Sequence, residues 1–149
     1  MRNAELYEQD FYLWTQKQVA LLREGKWHEL DCEHLMEEIE DLGRSARKEL
    51  RSYLEGLVLH LLKWRYQPSH RGVSWRLSIR NARRRIGIIL SDSPSLRPTL
   101  PGLVAEEFLA ARIDAIDETG LPTGAFPATC PFTLSQLLDT DFWPQVDAD

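Results

Sequence analysis

From Leu35 to Trp64 apolar residues recur with helical spacing for thirty residues. Leu35, Ile39, Leu42, Ala46, Leu50, Tyr53, Leu57, Leu61 and Trp64 step by three or four without losing phase. That period places one stripe on one face of an α-helix. Gly43 is the interruption. A glycine weakens a helix interior by about 1 kcal/mol relative to alanine, or it ends the helix. A turn into a second helix would reset the phase, so the pattern favours one helix over about 31–66, with a kink at Gly43 allowed and two helices joined there as the alternative. Pro68 ends it, because the residue before a proline is pushed out of helical geometry. Asp31 is placed to cap the free N–H groups of the first turn, with Leu30 and Leu35 spaced as a staple across it.

The flanking sequence reads the same way. Tyr7, Phe11, Trp14, Gln18 and Leu21 mark an earlier helix that Gly25 stops. A further helix begins at Ser74, with Trp75, Ile79, Ala82, Ile86 and Ile89 on one side and Arg76, Arg80, Arg83 and Arg84 on the other, and Ser91-Asp92-Ser93-Pro94 stops it. Leu96 to Ala115 is helical again, broken near Pro98 and Pro101 and closed by Gly120. Pro122, Pro127 and Pro131 then impose an extended strap, roughly 120–149. Thr133 and Gln136 have capping-box spacing for one short helix before the aromatic stretch Asp141-Phe142-Trp143-Pro144. No strand alternation or internal repeat appears. The expected fold is therefore all-α: a single-domain helical bundle, residues 1–149, around one long helix with a proline-rich C-terminal strap.

Composition fits a globular domain, with 43% hydrophobic and 28% charged residues in 149. No apolar run approaches the length needed to span a bilayer, and the N-terminus lacks a basic start followed by an apolar stretch. A cytoplasmic protein with no membrane partner is expected. Cys32 and Cys130 form no CxxC pair, so neither a zinc-finger spacing nor a disulfide framework is present.

Charge is segmented. Counting residues, 1–62 carry 8 basic and 13 acidic side chains, 63–97 carry 9 and 1, and 98–149 carry 1 and 9, which gives the net charge of -5. Either the middle segment faces an acidic partner or the acidic segments fold around it. The second reading is favoured, and it requires acids of residues 98–149 to meet Arg76, Arg80 or Arg84.

These residues resemble a known bacterial family. The resemblance rests on "YEQDFYLW", "LLREGKWHELD", "EEIEDLGRS", "HLLKWRYQP", "SPSL", "ETGLP", "FPATCPF" and "DFWP", in order along nearly the whole chain. The family is the one filed as domain of unknown function 29. The resemblance implies an α-helical fold and brings no activity, cofactor or partner with it.

Four groups of residues are candidates for chemistry. His34, Glu37 and Glu38 share a face at i, i+3 and i+4, a spacing seen in helix-bundle metal sites, although His34 and His60 would be about 39 Å apart on one unbroken helix and unable to share an ion. His60 lies on the apolar stripe above Trp64, where an imidazole needs a hydrogen-bond partner; Asp10 is nominated, and both are expected to be buried. Cys130 reads as a small structural residue fixing the strap. Arg76, Arg80, Arg83 and Arg84 are the polyanion-binding candidates, since like charges at i, i+4 are unfavourable without an answering anion.

No catalytic residue, metal ligand or cofactor follows from these patterns. The leading expectation is a non-enzymatic protein-interaction or self-associating module. Nucleic-acid or polyanion binding through the arginine face is the alternative, and a metal-dependent enzyme comes third.

Overall fold

The computed structural model describes residues 2–145, and every element among them is helical or irregular. Six α-helices follow in order: α1 (Asn3–Gln9), α2 (Phe11–Arg23), α3 (Cys32–Tyr66), α4 (Val73–Asp92), α5 (Leu100–Thr119) and α6 (Leu134–Leu138), with short 3-10 turns between them. The fold is all-α, as expected. No helix among the described residues is long and apolar enough to cross a membrane. The chain divides into two compact units, Met1–Ser45 and Ala46–Asp149.

The long helix is continuous through Gly43, as the phase of its apolar stripe predicts. Gly43 is exposed and has open space where a Cβ would sit, so nothing in packing demands a glycine there. Asp31 caps the helix: its Oδ1 accepts from the His34 backbone N–H at 3.5 Å.

In the N-terminal unit, the single predicted first helix is two. The break falls at Asp10, whose carboxylate accepts from the Leu13 N–H at 3.0 Å and caps α2. Gly25 stops α2 as expected. With φ at +71°, it closes a Schellman turn in which Lys26 N–H reaches Leu21 O at 2.9 Å and Gly25 N–H reaches Leu22 O at 3.2 Å. Leu6, Trp14 and Leu21 are the buried apolar residues of this unit among the described residues.

The second unit holds the main core. Leu50, Leu54, Leu57 and Leu61 of α3 are fully buried with Ile79 and Ile86 of α4 and Ala111 and Ala115 of α5. The two alanines present little side-chain bulk where α5 enters that core. Pro101 does not break α5 but lies in its first turn, where a missing N–H costs nothing. Gly120, at φ +69°, ends it. The capping box at α6 forms as read: Thr133 Oγ1 accepts from Gln136 N–H at 3.1 Å and Gln136 Oε1 accepts from Thr133 N–H at 2.9 Å.

A largely irregular strap and the end of its one short helix leave carbonyls that need donors. Arginines supply them. Arg112 donates to Pro127 O at 2.8 Å, Thr123 O at 2.9 Å and Phe126 O at 3.2 Å. Arg71 donates to Pro144 O at 3.3 Å, and Arg83 to Leu137 O at 2.9 Å and Gln136 O at 3.1 Å. The aromatic end packs inward, with the Trp143 ring 4.8 Å from that of Trp64 and Phe142 at 6.1 Å from Phe132. Residues 146–149, the end of the predicted strap, lie outside the described residues.

Candidate functional site

Asp10 and His60, nominated as a pair, each take a local partner instead. Asp10 is exposed and spends its carboxylate on the α2 cap, because a short acid at that position satisfies an otherwise free helical N–H. His60 is only half-buried, and its Nδ1 lies 2.7 Å from Gly56 O, the carbonyl one turn earlier in its own helix. A local backbone acceptor thus meets the need that the sequence reading assigned to a distant acid.

His34 has a different partner from the glutamates beside it. Its Nδ1 sits 2.7 Å from Asp31 Oδ2, and the same oxygen accepts from Trp14 Nε1 at 3.0 Å. The Tyr7 ring stacks on the imidazole at 3.8 Å, and its hydroxyl donates to Glu38 Oε1 at 2.5 Å. Gln18, almost fully buried, accepts from the Asp31 backbone N–H at 2.8 Å. Burial pushes the Asp31 carboxyl up, but hydrogen bonds from His34 and Trp14 outweigh it and hold the group below its ordinary value. The bond to Asp31 raises His34. Tyr7 is pushed up to about 12 by its bond to Glu38, with burial and that carboxylate's charge adding to it. Among the described residues no three His, Cys, Asp or Glu side chains are placed to hold a metal ion.

Sequence reading missed this cluster. It took Asp31 as a backbone cap alone and grouped His34 with Glu37 and Glu38. The legible signal was the i, i+3 spacing of Asp31 and His34 across the helix start, which lets one carboxylate serve both a backbone N–H and an imidazole.

Beside the cluster, α2 and the first turns of α3 leave an apolar groove of about 410 Å³, lined by Phe11, Trp14, Val19, Leu22, Ile39 and Leu42 among others. Ile39 is 66% and Leu42 72% exposed. The apolar stripe of α3 is therefore continuous in phase but not in burial: buried or half-buried from Leu50 onward, and exposed at Ile39 and Leu42.

The internal answer expected for the arginine face is also not found. Glu106 and Glu107 of α5 pair with Arg51 of α3 at 3.1 and 2.9 Å, and Glu118 pairs with Lys63 at 2.9 Å. Those acids neutralise α3. Arg76 and Arg80 form no ion pair or hydrogen bond among the described residues, and Arg84 reaches only Asn81 Oδ1 at 2.9 Å. Arg83 departs from the group: it is buried and holds strap carbonyls, and burial pushes its guanidinium below the ordinary value. Cys130 is half-buried, its thiol donating to Phe132 O at 3.5 Å, and burial pushes that thiol up.

One acidic residue of α5 meets an acid instead of a base. Glu55 shares a hydrogen bond with Asp114, and this bond, then burial, then the charges of Asp114, Glu107 and Glu118 raise it to about 7. The folded state holds a proton that the unfolded chain releases near the ordinary carboxylate value. The contribution is fully present below that value and lost as pH rises through about 7. Glu55→Gln is expected to flatten this decline and, with the effect reduced by solvent screening at this partly exposed pair, to stabilise the protein at pH 8 by on the order of 1 kcal/mol. Denaturant titrations of both proteins at pH 5 and pH 8 check it; equal wild-type and variant stability at pH 8 would refute the shared proton.

Among the described residues these features define an all-α protein with an open apolar groove and a cationic helix face that forms no ion pair. The chain belongs to the family described as domain of unknown function DUF29, whose model matches residues 6–143. No curated protein and no solved structure matches it.

Proposed function

We propose that the protein is a self-associating interaction module, in which the apolar groove of the N-terminal unit pairs with the same groove of a second copy. The observation that carries this reading is the uncovered half of the α3 stripe, where Ile39 and Leu42 face solvent with Phe11, Val19 and Leu22 of α2. A unit of 45 residues with three buried apolar side chains among the described residues closes too little core for its size. A second helical pair supplies the missing layer, and two α2–α3 pairs related by a two-fold axis make a four-helix arrangement. The lining holds one charged residue, Glu38, whose carboxylate is tied down by the Tyr7 hydroxyl.

The test is sedimentation equilibrium across a concentration series, with Ile39→Glu/Leu42→Glu as the variant. Wild type is expected to dimerise, and the variant, its helicity unchanged, to dissociate at least about 100-fold more readily, roughly 2.8 kcal/mol. A monomeric wild type, or a dimer indifferent to both glutamates, would overturn the reading.

A further inference from the structure

On α4, in the second unit, Arg76, Arg80 and Arg84 stand one turn apart on one exposed face, each step rising about 6 Å. Three like charges in such a column destabilise the helix unless an anion answers them, and Glu106, Glu107 and Glu118 of α5 pair with α3 instead. Arg80 and Arg84 also line a cavity of about 460 Å³, together with Arg83, Thr140 and Asp141.

Arg83 supplies a second, independent sign. It is 5% exposed, and while Nε and Nη2 hold the Leu137 and Gln136 carbonyls, Nη1 is buried without any hydrogen-bond partner. A buried guanidinium N–H left unfilled is costly, and a phosphate oxygen is among its strongest acceptors. With three guanidiniums and one carboxylate the lining keeps a net positive charge, which attracts a phosphate group. Arg76 is not part of the lining and continues the charge one turn beyond it, so the positive face is longer than one phosphate. Exposed Leu77 and Ile88 on the same helix give apolar surface beside the column.

We propose that the arginine column of α4 and the cavity at Arg80, Arg83 and Arg84 hold the phosphodiester backbone of a nucleic-acid strand, one phosphate seated in the cavity and its neighbours along the column.

The experiment is fluorescence anisotropy of labelled single-stranded RNA and DNA with the full chain, at 50 and 200 mM salt. Engagement of about three phosphates predicts that this salt step weakens binding roughly 20-fold. Arg80→Glu/Arg84→Glu is expected to abolish binding with helicity unchanged, and Arg76→Ala to weaken it several-fold. Both sites are exposed, so the fold is not at stake. Absence of strand binding at 50 mM salt, binding that survives the double substitution, or saturation by inorganic phosphate alone without any strand binding would each overturn the proposal. The Ile39→Glu/Leu42→Glu variant separates it from self-association: strand binding by that variant supports a site independent of the groove, and its loss there would contradict the assignment to α4.

Discussion

Trp14→Ala is expected to destabilise the N-terminal unit by about 4 kcal/mol, the range for emptying a buried tryptophan site. Trp14 is 2% exposed and is the largest buried side chain in that unit. Its ring lies 4.9 Å from Tyr7 and 5.7 Å from Phe11, and its Nε1 donates to Asp31 Oδ2. The substitution therefore leaves both a void and a carboxylate short of a donor at the start of α3. Trp14→Phe keeps most of the volume and loses the bond, at about 1 to 2 kcal/mol. Amide hydrogen exchange across α2 and the first turns of α3 measures both. A loss under about 1 kcal/mol for the alanine variant would show that the cluster does not hold the unit together.

The same cluster sets a pH window. Asp31 is lowered in the folded state, so its contribution is present above its unfolded value and lost as pH falls through the folded one. His34 is raised, so its contribution is full below its unfolded value and lost as pH rises through the folded one. Exchange protection of this unit is thus greatest between the ordinary carboxylate and imidazole values, about pH 4 to 6.5.

How much of this was legible beforehand divides by physical range. Local rules found the long helix through Gly43, the stops at Gly25 and Gly120, and the box at Thr133 and Gln136, because each is decided within a few residues. The same rules missed the break at Asp10, where a cap competes with continued periodicity and the periodicity was counted alone. Burial was harder. The stripe of α3 has one phase throughout, and nothing in Ile39 or Leu42 tells them apart from Leu57 or Leu61; only the elements brought against each half do. Partner choice was hardest. His60 took its own helix's carbonyl, and the α5 acids took Arg51 and Lys63, since segment charge sums say that charges balance without saying which pairs approach.

Arg83, Arg84 and Arg85 are consecutive and identical in type, yet only Arg83 is buried, which makes Arg83→Met the sharpest test of what the strap requires. Arg83 is buried, and its guanidinium bonds Leu137 O and Gln136 O and lies 5.8 Å from the Trp143 ring. Methionine fills much of the space and supplies no donor. Replacing a buried charge by an apolar group is often tolerated when its partners leave with it. Here the partners are backbone carbonyls that stay, so the expected loss is about 3 kcal/mol, two charge-assisted bonds offset by relief of guanidinium burial. Arg83→Lys, with one compact ammonium in place of the planar fork, keeps one bond at most and falls between. Arg85→Met on the exposed side of α4 is expected to stay within about 0.5 kcal/mol. Denaturant titration ranks the three, and hydrogen exchange at 134–138 locates the loss. Equal stabilities for Arg83→Met and Arg85→Met would mean that the α6 carbonyls find other donors, and that the arginine does not fasten the strap.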